Sequence, residues 1–200
     1  VYANRIDSTI YSNTYSGNTK DYIEVQGDYI EGNGTFVWAK DNGPYVVVGD
    51  VYVQRSNNSS QLSTLQIASG TTVKFSAAAD LFIGHESNDS YRGALTATGV
   101  TFTSLDSTGW PGIDFRSNAY DAGCSLDSCT IENAVDGIYC GDSNPTITNS
   151  TIRNNTDGIY ADASSQPTIT GNTFTGNERP VSVYANRIDS TIYSNTYSGN

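Results

Sequence analysis

The sequence predicts an all-β chain wound as a parallel β-helix, a β-solenoid of about eight turns per 182-residue unit. Three observations predict it. Short β-branched and aromatic segments alternate with Gly/Asn/Asp corners. A motif recurs late in the chain every 21 to 23 residues. Residues Val1–Asn18 return letter for letter as Val183–Asn200, an offset of 182.

The finer repeat supplies the late strands. Thr130–Tyr139 (Thr-Ile-Glu-Asn-Ala-Val-Asp-Gly-Ile-Tyr) returns as Thr151–Tyr160, 21 residues on. Thr173–Asn177 follows 22 later, and Thr196–Asn200 another 23 later. A second column runs through Pro145–Thr148, Pro167–Thr170 and Ser190–Tyr193. Such a period suits one solenoid turn of about three short strands, none of which can bury its apolar side without a neighbour. Alternation predicts which side chains face inward. Ile147, Ile169 and Ile192 form one inward column. Ile131, Ile152, Phe174 and Tyr197 form another, and Ile138, Ile159 and Val181 a third. Asn155, Asn177 and Asn200 share a corner column, where stacked amides make a hydrogen-bonded ladder.

Earlier elements are less regular. Leu65–Phe75 and Gly93–Ser104 each read as strand, turn, strand, and Tyr22–Gln54 is rich in β formers with Gly corners. Ser56–Gln61 and Glu86–Tyr91 read as polar loops leaving the solenoid.

Composition narrows the function. Ten Lys+Arg against 21 Asp+Glu give a net charge of −11. Phosphate recognition needs a basic face, so nucleic acid is not an expected partner. An anionic membrane surface would repel the chain, and no apolar run approaches the ~18 residues of a membrane span. Val1–Arg5 is followed by no apolar stretch of the kind a secretion signal carries. Cys124, Cys129 and Cys140 show no zinc-ligand spacing. They read as small core residues, with one disulfide plus a free thiol as the alternative. Parity places Cys129 with Ile131 and Cys140 with Ile138.

The coarser repeat divides the chain into residues 1–182, one unit, and 183–200, the start of the next identical unit. Residues at the repeat junction are then Val1, Tyr2, Ile10 and Tyr15, with their copies Val183, Tyr184, Ile192 and Tyr197.

The pattern from Asn144 to Tyr160, Asn-Pro-Thr-Ile-Thr-Asn-Ser-Thr-Ile-Arg-Asn-Asn followed by Asp-Gly-Ile-Tyr, resembles the right-handed parallel β-helix repeat of the pectin-lyase-like superfamily. Leu65–Phe75 and Gly93–Ser104 resemble opening turns of bacterial and archaeal cell-surface β-helix regions. The resemblance implies a fold, right-handed also by the general crossover rule. It does not imply one activity: members include polysaccharide lyases and hydrolases, epimerases, adhesins and structural surface proteins.

Family enzymes use clustered Asp, or Asp-bound calcium with a Lys or Arg base. Asp136 and Asp157 stack one turn apart, but at a repeated corner, which points to structure first. No basic residue sits in a lyase or hydrolase motif. No cofactor is expected, structural calcium at the Asp136/Asp157 corner being the one conceivable case, without an Asp-x-Asp-x-Asp loop to support it. His85, in Gly84–Ser87, reads as an exposed loop residue. Thr146/Thr148 and Thr168/Thr170 resemble an ice-binding Thr array, but Tyr193 and Ser125/Asp127 break it. Asn-x-Ser/Thr acceptors begin at Asn33, Asn57, Asn58 and Asn88 in loops. Asn149 and Asn154 also begin acceptors, at strand ends where they are expected to face inward.

The expectation is therefore a non-enzymatic structural repeat protein of the cell surface or extracellular space: a stiff acidic stalk, fibre or sheath whose partners are copies of itself. A carbohydrate-binding adhesin with glycans as partners is the alternative, and a polysaccharide lyase or hydrolase the third reading.

Overall fold

The computed structural model describes residues 1–7, 9–10, 13–55 and 62–200. Asn57, Asn58 and the loop Ser56–Gln61 lie outside the described residues. The chain coils through three sheets in rotation. The first holds Ile23–Val25, Tyr45–Val47, Thr72–Phe75, Thr101–Ser104, Thr130–Glu132, Thr151–Arg153, Thr173–Thr175 and Thr196–Ser198. The second holds Asp28–Ile30, Val51–Val53, Leu81–Ile83, Trp110–Phe115, Ala134–Cys140, Asp157–Ala161 and Arg179–Ser182. The third holds Gly34–Trp38, Ser63–Ile67, Gly93–Thr98, Ser125–Asp127, Thr146–Thr148 and Thr168–Thr170. Every pairing among these strands is parallel, each strand lying on the equivalent strand of the previous turn.

The first sheet joins Ile23, Tyr45, Val73, Phe102, Ile131, Ile152, Phe174 and Tyr197 in one register. From Ile23 to Tyr197 this makes about seven turns, close to the eight expected. The difference lies in the middle turns. Tyr45 to Val73, Val73 to Phe102 and Phe102 to Ile131 span 28 or 29 residues, because loops and the 3-10 turn Asp121–Gly123 are inserted between strands. The late turns keep the 21-to-23-residue interval.

Inside lies one continuous core. Ile147 and Ile169 are fully buried, in register with Leu126 and Ala97 below them. Ile131, Ile152 and Phe174 are buried likewise, as are Ile138 and Ile159, while Val181 continues their column half-buried. Cys124, Cys129 and Cys140 are all buried free thiols, which supports the core reading over a disulfide. Burial pushes the Cys124 thiol up to about 12 and Cys129 up to about 11.

Ile192 departs from its expected column. It opens the 3-10 turn Ile192–Ser194 and is half-buried. Just before it, Asp189 Oδ1 accepts from both the Thr191 amide (2.8 Å) and the Thr191 hydroxyl (2.7 Å). This local turn chemistry removes the extended backbone that a third-sheet strand needs.

The corners are held by amide ladders. Asn177 Oδ1 accepts from the Asn155 amide (3.1 Å) and side chain (3.0 Å), and Asn200 repeats both bonds to Asn177 at 3.1 Å. A second ladder, missed in the sequence because its first rung is serine, runs Ser150, Asn172, Asn195. Asn149 (φ 51°) and Asn154 (φ 56°) take the left-handed corner that Gly171 and Gly176 take one turn later, and both are exposed rather than turned inward. The left-handed corner rotates their side chains away from the core.

Candidate functional site

The site emerges from two outward columns on the second sheet. One is aromatic: Tyr29, Tyr52, Phe82, Asp114, Tyr139 and Tyr160 lie in register. Tyr29 stacks on Tyr52 and Tyr52 on Phe82, each at 4.9 Å, and Tyr139 stacks on Tyr160 at 5.6 Å. Asp114 interrupts this ladder. The second column is acidic. Gly112, Asp136, Asp157 and Arg179 are in register, while Asp80 immediately precedes Leu81, the partner of Ile113. Gly112 therefore interrupts the carboxylates. It is obligatory there: its φ is +140°, and an added Cβ would lie 1.7 Å from the Asp136 carbonyl oxygen.

One strand, Trp110–Phe115, thus sets Asp114 in the ring column and Gly112 in the acidic column, and the result is a notch. It is a cleft of about 430 Å³ whose walls include Asp80, Phe82, Trp110, Asp114, Asp136 and Tyr139. A second hollow, lined by Glu86, Arg116 and Asp162 among others, shares Asp114 and Tyr139 with it.

Electrostatically the notch is strained toward protonation. Burial, then the charges of Asp50 and Asp114, push the Asp80 carboxyl up to about 7. Burial also raises Asp114, against the opposing bond from Arg116, and it raises Asp136, helped by Asp157. Arg116 lies over the Phe82 ring (3.6 Å) and bridges Asp114 (3.2 Å) and Glu86 (3.5 Å). Asp114 Oδ1 is buried and accepts from no donor among the described residues. A carboxyl that keeps its proton near neutrality, beside others that ionise, is the raw material of acid–base chemistry. An orphaned carboxylate oxygen is a seat for a ligand hydroxyl or amine.

Of the sequence-selected carboxylates, one lines the notch and one does not. Asp136 borders the notch, but Asp157 is buried and forked by Arg179 (2.5 and 2.6 Å), so the pair is not a matched acid and base. Among the described residues no group of three or more His, Cys, Asp or Glu side chains is placed to hold a metal ion. His85 is half-buried rather than exposed: its Nδ1 accepts from the Ser87 amide (3.1 Å) and its ring meets Tyr91 edge-on (5.3 Å). Asn33 is exposed at a bend, and Asn88 is half-buried with its Oδ1 capping the Ser90 amide (3.1 Å). Asp80 and Asp114 were missed. The available signal was Asp114, a charge in the outward position that the other turns give to rings.

The junction residues sit at opposite ends of the stack. Val1 and Tyr2 lie beside Gln26, and Ile10 and Tyr15 pack part-buried on the core. Val183, Ile192 and Tyr197 line a hollow of about 700 Å³ at the other end, and Tyr184 is exposed.

Residues 82–200, more than half of the chain, match the right handed beta helix region. The chain belongs to this right-handed β-helix family. The match covers the regular late turns and the notch apart from Ala77 and Asp80, which precede it. Searches of curated proteins and of solved structures found no match.

Proposed function

We propose that this right-handed β-helix is a repeat unit of an extended structural protein, a stiff acidic stalk, fibre or sheath element at the cell surface or outside the cell, without catalytic activity. The observation that carries the reading is the fate of the second copy. Thr196–Ser198 has joined the first sheet in register, with Tyr197 stacked on Phe174 at 5.2 Å and Asn200 on the amide ladder. The repeated sequence is the next rung of the same stack. A polar, acidic exterior suits a rod that stays dispersed. About seven turns at ~4.8 Å give an axial period of about 34 Å. Electron microscopy or fibre diffraction of the native material checks this. Rods with that period are the expected result, and compact capped particles would overturn it.

The notch favours a second reading, a glycan-binding module. A sugar hydroxyl is suited to donate to the Asp114 carboxylate, and the apolar face of a sugar ring to pack on Tyr139. Titration calorimetry against neutral oligosaccharides, with Asp114→Asn and Tyr139→Ala as controls, tests it. Heat that both substitutions abolish supports binding, and unchanged heats reject it. Release of reducing ends that Asp80→Asn abolishes would replace both readings with a hydrolase.

A further inference from the structure

The two copies of the 18-residue sequence share several local contacts, differ in that Thr196–Ser198 is a strand and residues 14–16 are not, and are bonded on opposite sides. Both form the same 3-10 turn, Ala3–Arg5 and Ala185–Arg187. Both use the same Asp–Thr turn, Asp7–Thr9 and Asp189–Thr191, and both bond a Tyr hydroxyl to an Ile carbonyl, Tyr15 to Ile10 (3.1 Å) and Tyr197 to Ile192 (2.9 Å). The first copy is engaged from the turn that follows it. Gln26 N–H donates to the Val1 carbonyl (2.7 Å), the Trp38 indole to the Ala3 carbonyl (3.3 Å), and the Asn42 side chain to the Asn13 carbonyl (2.7 Å). The second copy is engaged from the turn that precedes it. Asn172 N–H donates to Asn195 Oδ1 (2.8 Å), Gly171 N–H to the Ser194 carbonyl (3.1 Å), Gly176 N–H to the Gly199 carbonyl (3.2 Å), and Asn177 N–H to Asn200 Oδ1 (3.1 Å).

The two sets use different atoms, so they do not compete for any group of the segment. Burial makes the same point. Ile6 is 6% exposed, in the same core as Ile30 and Trp38, whereas its copy Ile188 is 51% exposed. Ala3 is buried and Ala185 is exposed.

We infer that Val183–Asn200 is the lower half of a fused turn, and that the apolar hollow at Ile188, Ile192 and Tyr197 is the seat of a covalently continuing copy of residues 19–42. This rests on the repeat-unit reading above. The Trp38 copy donates to the Ala185 carbonyl and covers Ile188, the Gln26 copy donates to the Val183 carbonyl, and the Asn42 copy donates to the Asn195 carbonyl. A separate chain is not the occupant, because in it the Trp38 indole already donates to its own buried Ala3. The junction then buries a continuous core with no capping layer between units.

The experiment compares the 200-residue chain with the same chain extended past Asn200 by a second pass of residues 19–60, using hydrogen exchange read by mass spectrometry. Amides across 183–200 gain protection on the order of tenfold or more in the extended chain. The Trp38→Ala change, made only in the added pass, removes that gain at Ala185–Ile188 and leaves Ile147 and Ile169 protected as before. Equal exchange of 183–200 in both chains overturns the inference, as does protection that the Trp38→Ala change does not touch. Particle shape separates this from the parent reading. Rods whose units hinge at the junction would retain the structural role and reject the fused turn. A protected junction in globular native particles would do the reverse.

Discussion

At the scale of single residues, Asp80 shows how position sets chemistry. Its carboxyl is half-buried beside Asp50 and Asp114, and its proton is held up to about 7. A raised acid pKa means the folded chain binds more protons than the unfolded chain between about pH 4 and pH 7. Stability on this account is highest below pH 4, falls as pH rises through that window, and is flat above it. Asp114 and Asp136, raised in the same direction, add to the fall. Asp80→Asn should flatten part of the slope without moving the acid limb below pH 4. Thermal midpoints of both proteins across pH 4–8 check this, and parallel curves would show that Asp80 ionises freely. The three cysteines make the opposite case: fully enclosed and with thiols pushed upward, they are fillers of the core.

At the scale of elements, each three-residue strand contributes one inward side chain per rung, so its stability depends on the rungs above and below. Ile147 packs in register between Leu126 and Ile169. Ile147→Asp places an unpaired charge among them and should cost on the order of 3–5 kcal/mol. Coincident denaturation midpoints would show that the column is not buried. The corners carry a polar counterpart. Asn177 serves the Asn155 amide and the Ile152 carbonyl (2.9 Å) at once, so Asn177→Ala removes both bonds and leaves the buried Asn155 amide without this acceptor. The loss should be about 1–3 kcal/mol for each buried group left without a partner, measured by urea unfolding. Substitution at the exposed Asn149, whose side chain only reaches Asp127 (2.8 Å), should cost much less. Trp110–Phe115 shows that an element also makes a site by omission: its Gly112 and Asp114 stand where other rungs place a carboxylate and a ring.

At the scale of the whole molecule, contacts link neighbouring turns, so the object is one-dimensional and grows by adding rungs. Its length follows from the number of turns rather than the number of residues. This is why an axial period of about 34 Å, from seven turns at ~4.8 Å, replaces the ~38 Å that eight equal turns would give. The long middle turns contain more residues, yet each adds one rung to the sheet. A rod of this kind exposes strand edges only at its ends, where an uncapped edge invites the next strand that fits.

The parallel β-helix, its inward columns at Ile131, Ile152, Ile147 and Ile169, the core cysteines and the Asn155–Asn177–Asn200 ladder were all determined by the sequence. Each depends on alternation within a strand and recurrence between turns, and both are written in residue order. The notch, the Asp157–Arg179 fork, the half-buried His85 and the turn at Ile192 were decided only by tertiary structure. Each depends on the register across 20 to 30 residues or on a side-chain oxygen capturing a nearby amide. The middle turns hid that register, because inserted loops of unequal length broke the period before Phe82, Asp114 and Tyr139 could be seen to share one column. The 18-residue repeat stands between the two cases. Its identity is plain in the letters, but that its copies are bonded on complementary faces is a matter of which backbone atoms neighbouring turns bring within reach.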